Sequence, residues 1–418
     1  MLHLFKLELK RQLKTRWTFF FIGTALITTL LFAYFPASFY EITLPNAQGQ
    51  TEKLTGFDAL QAQIERQAPA GGTVTPEKVR AALENYQDTL KAHDAEFSSD
   101  LPEGVYEKSL LANEPLLHGV VELYSDPETG IGSPLIELEP QKIDSYYTTA
   151  DAHIKALMAL EHPENEAAQK QGIAMYQEIE KPFTCRPNAS SNALDYFLLL
   201  CFVLMLLCAV LAAPVFASDY QTRADDIQRS CKNGRNTLAG ARIIATLFIC
   251  TLLTLSCQIL YWCLSNTFFG WDALDASIQM MALFPISALA NMTFGELQIF
   301  LVIVGQLGML ATVSAVLLIS SKTKNLVTAT AAALFLCVLP VLLYLILPTN
   351  LRFILCTLLP SSVNAMQSGV CYAMREFFFV TVGDLAIWLP WLMTGVVCLE
   401  APLFALFARH SYSKHEVH

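Results

Sequence analysis

The sequence predicts an all-α membrane protein: six transmembrane helices, with a mostly helical extracellular domain between the first and the second. Three observations predict it. Apolar residues make up 54% of the 418 and charged ones only 15%, against roughly 45–50% and about 25% in soluble domains. The apolar residues gather in six stretches, each long enough to cross about 30 Å of hydrocarbon at 1.5 Å per residue. Charge is segregated: between Ser38 and Ser190 there are 25 Asp/Glu against 11 Lys/Arg, and elsewhere 12 against 16. An acidic segment is thus joined to a mildly basic apolar one, a pattern that gives no sign of nucleic-acid binding.

Taken in order, residues 1–16 are a cytoplasmic amphipathic elbow and 17–37 the first span. Residues 38–191 are the inserted domain, 192–217 the second span and 218–238 a cytoplasmic loop. Residues 239–408 hold spans three to six, and 409–418 are a cytoplasmic tail. The apolar cores are Trp17–Ala37, Tyr196–Ala217, Ile243–Leu264, Leu297–Ile319, Leu326–Leu347 and Leu385–Ala408. The first core exceeds the roughly 7–15 residues of a signal-peptide core and reads as a retained anchor.

Lys/Arg bias sets the orientation. Lys6, Lys10, Arg11, Lys14 and Arg16 precede the first span. Arg223, Arg229, Lys232 and Arg235 lie between the second and third, and Lys322 and Lys324 between the fourth and fifth. Asn266–Glu296 has no Lys or Arg. The reading is a multi-pass protein of the bacterial cell membrane, both termini cytoplasmic and the acidic domain outside.

In the elbow, Leu2, Phe5, Leu9 and Leu13 form one stripe, the pattern of a helix lying in the headgroup layer of the bilayer. In the inserted domain Thr75 is a good N-cap with Pro76 at the first helical position. Val79, Leu83, Tyr86 and Leu90 then recur on one helical face. Further helices are expected around Phe57, Leu60 and Ile64, over residues 142–162, and over 164–181. Residues 124–140 read as loop with a short strand. His93, His118, His153 and His162 are scattered and read as exposed polar residues, so no metal site is expected. Cys356 and Cys371 share one outer loop, where a disulfide and two free thiols are both open.

The segment after the second span, "SDYQTRADDIQRSCKNGRNTLAGAR", is too polar for the membrane. A short helix from Asp219 to about Cys231 would carry Arg223, Asp225, Asp226 and Arg229 on its surface around Ile227. Gly234 would supply a left-handed stop. A compact charged helix of this kind suits docking to a soluble partner, and an ordinary charged loop is the plainer reading.

This segment resembles the coupling region of ABC-2-type transporter permeases, through Asp219, Ile227, Gly234, Arg235 and Arg242. "LFKLELKRQLKTRW" is similar to the family's N-terminal elbow, "NMTFGELQIF" to its approach to span four, "SSKTKNLVTATAAALFLCVLP" to its turn and proline-bearing span five, and "LLPSSVNA" to its segment after span five. The insert after span one resembles a Gram-positive subgroup. The resemblance implies a permease without its own ATPase site, binding no cofactor itself, since ATP and Mg sit on a partner subunit. It implies that an ABC ATPase docks on 219–231, with Asp219, Arg223, Asp225, Asp226, Ile227, Arg229, Lys232 and Arg235 as contacts. It also implies a second permease half, identical or different, embedded in the same bilayer. No phosphate-binding G-x-x-x-x-G-K-[ST] loop occurs in the chain.

Glu400 is the one formal charge inside a core stretch, about 12 Å from the cytoplasmic end at 1.5 Å per residue. An acid there is a candidate pathway residue by its insertion cost alone; a hydrogen-bonded Glu at a helix contact is the alternative. Gln258 and Gln306 are lesser pathway candidates and read equally as interhelical hydrogen-bond partners. Gly305 and Gly308 suit close helix approach. The outer loop 348–384, with "LRFILCTLL" and "REFFFVTV", reads as re-entrant or interfacial segments, and the resemblance implies a re-entrant outer gate. Export of a peptide or amphipathic compound is the leading expectation. The alternatives are ABC-coupled mechanotransmission through the extracellular domain, or a sensor or immunity protein.

Overall fold

A computed structural model describes residues 2–45, 51–126, 134–231 and 234–414. Among the described residues six helices are long and apolar enough to cross a membrane: Arg16–Ser38, Ser191–Thr222, Asn236–Phe269, Phe294–Lys322, Leu326–Ile346 and Leu389–Lys414. The chain is a mostly helical, multi-pass membrane protein. The third span has 34 residues, about 51 Å of helix, so it projects well beyond the hydrocarbon. Spans four and six run side by side, and span one packs in the angle between two and three. The two ends of the bundle are here called the elbow side and the insert side.

The last span begins at Leu389, not Leu385. Leu385–Trp388 instead pairs antiparallel with Phe379–Val382, Phe379 opposite Trp388. Gly383 makes the turn at φ +62°, and alternating aromatic and branched side chains suit a hairpin better than a helix. "REFFFVTV" is thus partly strand, and "LRFILCTLL" supplies a helix, Thr349–Thr357. Between them the chain dips back into the bundle. Asn364 Nδ2 donates to the Gly305 carbonyl at 2.9 Å, and the Thr312 hydroxyl donates to the Pro360 carbonyl at 2.9 Å. Gly308 therefore admits this re-entrant segment, and Gly305 faces both Asn364 of that segment and Gln258 of span three, each 3.2 Å from where a Cβ would stand. A Cβ on Gly308 would lie 2.9 Å from that of Val363.

The inserted segment holds the expected helices at Gly56–Gln67, Pro76–Ala92, Tyr146–Glu161 and Glu166–Gln177. The Thr75 hydroxyl caps Pro76–Ala92 by accepting from Lys78 N, and Val79, Leu83 and Leu90 are buried as their spacing predicts. In the described part of 124–140 Ser125 makes a β-bridge, and residues 127–133 lie outside the described set. The segment is welded to the bundle. Val79, Ile143, Tyr146 and Tyr176 share one continuous core with Leu194 and Phe197 of span two and Leu297 of span four. Arg186 grips Asp275 through two 2.6 Å hydrogen bonds. Glu122 accepts from Ile286 N and from the Ser287 hydroxyl.

The histidines do not all fit the expectation of exposed residues. His153 is buried. His118 and His162 are partly buried, their Nε2 atoms 3.1 and 2.6 Å from the carbonyls of Phe284 and Phe377. Each ties the insert to a loop between spans. Cys356 and Cys371 are both buried free thiols.

Candidate functional site

The elbow side carries the site. Span two reaches Ala213 and meets Pro214, which has no N–H to continue the ladder. Ser320 of span four repairs the break. Its hydroxyl donates to the Ala213 carbonyl at 2.6 Å and accepts from Phe216 N and Ala217 N. The helix then runs Pro214–Thr222 until Arg223 adopts a left-handed conformation at φ +57°. A second short helix, Ala224–Ser230, comes next.

The expected single helix from Asp219 to Cys231 is thus two, broken at Arg223. Arg223 is the left-handed residue, and Gly234 is buried. The break changes which charges are available. Arg223, Asp226 and Arg235 are exposed, and Ile227 is 75% exposed. Asp225 is buried, contrary to its expected surface position, and so is Asp219. Neither can serve as an open contact. Arg229 keeps its helical place in Ala224–Ser230. Lys232 lies outside the described residues.

Asp219 is buried because it meets Arg242 on the first turns of span three, a side chain only 1% exposed. Arg242 Nη2 lies 2.5 Å from an Asp219 carboxylate oxygen and donates to Gln228 Oε1 at 2.7 Å. Its Nε donates to Glu8 Oε1 of the elbow at 3.4 Å. Arg11 Nε is 2.8 Å from the other Glu8 oxygen, and Arg11 Nη1 is 3.7 Å from Asp219. The Arg242 guanidinium lies over the rings of Phe216 and Tyr412, 5.9 Å from each centroid. One buried arginine therefore joins the elbow, the end of span two, the short helix, span three and the last turns of span six.

Glu8 was missed by sequence reasoning. Leu2 and Leu13 of the apolar stripe are exposed on the protein surface. The face turned to span three carries Phe5, Glu8 and Gln12, and Glu8 is its buried member. Phe5 packs edge-on against Phe248. Gln12 Nε2 donates to Thr246 Oγ1 at 3.0 Å, one turn beyond the Glu8–Arg242 contact. A signal was present: Glu8 and Gln12 on the elbow, and Arg242 and Thr246 at the start of span three, are both polar i, i+4 pairs, and they meet as Glu8–Arg242 and Gln12–Thr246.

Within the bundle, Gln306 Nε2 donates to Gln258 Oε1 at 2.6 Å and to Thr254 Oγ1 at 2.9 Å. Gln258 Nε2 in turn donates to Cys201 Sγ at 3.3 Å. These residues link spans two, three and four. Glu400 is not joined to this chain of bonds; it is partly buried, and its Oε2 atom has no hydrogen-bond partner. Among the described residues no group of three or more His, Cys, Asp or Glu is placed to hold a metal ion.

No family model matches the chain, and no curated protein matches it. The site is a rigid knot of buried charge bearing an exposed tip at Arg223, Asp226 and Ile227.

Proposed function

We propose that the chain is the membrane-spanning permease subunit of an ATP-driven exporter of the ABC-2 type, powered by a separate ATPase that docks on the tip of the loop between spans two and three. The observation that carries this is the pairing of an exposed Ile227 with a buried ionic anchor behind it. An apolar side chain 75% exposed on a polar loop is a natural interface anchor. Force applied there passes through Arg242 to four helices without first bending a loose linker. The elbow side then faces the cytoplasm, as the Lys/Arg bias requires, and the acidic insert faces outward. A peptide or amphipathic compound remains the favoured cargo.

The test is co-purification with an ABC ATPase from the same genome. Ile227→Asp and Asp226→Arg each lower capture by about tenfold or more, in line with losing an interface anchor worth ~2 kcal/mol, and leave the melting temperature of the permease unchanged. Undiminished capture by both variants refutes the docking site.

A second reading is supported by the insert's shared core with the bundle: work is delivered through the insert to an extracellular partner. In that case Glu400→Gln and Gln306→Leu leave function intact, whereas changes at the insert's outward surface abolish it.

A further inference from the structure

A cavity of about 530 Å³ opens on the elbow side between the start of span one, the Pro214 break of span two, span three and the start of span five. Its walls change character with depth. Along span one the lining runs from Gln12, Thr15 and Thr18 to Phe21, and Leu211 and Ile249 lie farther from the elbow along spans two and three. The lining holds one formal charge, the half-exposed Arg11 guanidinium, and no Asp or Glu. Exposed Lys10, Lys14 and Arg16 surround Arg11 on the same short stretch. Two carboxylates do touch Arg11 from behind: Glu8 at 2.8 Å and Asp219 at 3.7 Å. They hold the guanidinium in place, and both are buried.

We propose that this cavity binds one anionic glycerophospholipid of the elbow-side leaflet. The phosphate-bearing headgroup sits on Arg11 and the threonine hydroxyls, and the upper part of one acyl chain enters between spans one, two, three and five. Three features select this occupant. The polar end lies where spans one and five both begin, at the level of the headgroups. The apolar end continues inward along the spans. The charge is basic, and basic side chains beside a membrane favour anionic lipid. A volume in the usual range of small-molecule sites accommodates part of a lipid, not a folded partner. Ser218 also lines the cavity and is next to Asp219, so the bound lipid touches the helix that carries the ionic anchor. The inference needs only a membrane-embedded chain and does not rest on the proposed ATPase.

The test uses the full chain reconstituted in nanodiscs of phosphatidylglycerol and phosphatidylcholine in equal amounts with identical acyl chains, followed by native mass spectrometry. The expected result is one retained phosphatidylglycerol per chain, favoured roughly fivefold, the effect of one basic residue at an anionic surface. Arg11→Gln brings the two lipids to parity. Thr330→Trp, which fills the cavity from span five without touching the ion pairs, removes the retained lipid of either headgroup. A folded melting curve for each variant accompanies the count. Equal retention of both lipids by the unaltered chain overturns the proposal, as does a preference that survives both variants. A dimer lost in Thr330→Trp with no lipid released would assign the cavity to a second copy of the chain, and would also overturn it.

Discussion

Replacing Arg242 by Met is the sharpest perturbation of this architecture. The side chain is 1% exposed, and its removal leaves Glu8 and Asp219, with side chains 9% and 10% exposed, sharing only Arg11. Breaking a buried ion pair from one side costs about 3–5 kcal/mol, because the remaining charge stays desolvated. At 1.4 kcal/mol per factor of ten, that shifts the docking of the elbow on span three by roughly two to three and a half orders of magnitude. The assay is labelling of Leu9→Cys by a water-soluble maleimide, with the exposed thiols Cys231, Cys263 and Cys398 changed to Ser. Labelling should accelerate sharply in Arg242→Met and by less in Arg242→Lys, which keeps the charge and loses the planar fork. The network is also imperfect. Arg242 Nη1, Glu8 Oε2 and Asp219 Oδ2 have no aligned hydrogen bond, although the ion-pair contacts at the two carboxylate oxygens are close. The apolar triple variant Glu8→Leu, Asp219→Leu, Arg242→Met should therefore recover most of the lost docking. Wild-type labelling in Arg242→Met, or a triple variant no better than the single, would refute the anchoring role.

Other consequences arise from the same packing. Gly308→Val drives a branched side chain against Val363 and should destabilise the bundle by about 1–3 kcal/mol through overpacking, read as a lower melting temperature; an unchanged value would place the re-entrant segment elsewhere. Gln306→Leu strips Gln258 and Thr254 of a shared partner and should cost about 0.6 kcal/mol and not above ~1.7, the measured span for interhelical hydrogen bonds in membranes. His153 has its pKa lowered from the usual 6.5, chiefly by burial, with Glu122 acting weakly in the opposite sense. The unfolded chain then binds the proton better, so this contribution is complete above about pH 6.5 and is lost as pH falls toward the lower folded value. A His153→Phe variant should flatten the pH dependence of the melting temperature below that point, and an unaltered slope would count against it.

Much of this molecule was legible in order along the chain. Hydropathy located all six spans because the bilayer imposes a length and a composition on each. Thr75–Pro76 located a helix start because capping is a local hydrogen bond. The misreadings share one cause. Leu385–Trp388 looked like the head of a span by composition, yet a glycine turn two residues earlier gave it a strand partner. The loop after span two read as one helix, but the chain turns left-handed at Arg223, just past Asp219 and its contact with Arg242. Gly305 and Gly308 announced a close approach without naming what approaches.

The sequence by itself determined the number of spans, the helices of the insert and the residues able to carry charge on the elbow side, since each depends on neighbours within a few turns. Only the tertiary structure decided that Glu8 and Arg242, 234 positions apart, form one ion pair, and that Asp219 is buried while Ile227 is open. A guanidinium finds its carboxylates in space, and no local pattern encodes a partner that far along the chain.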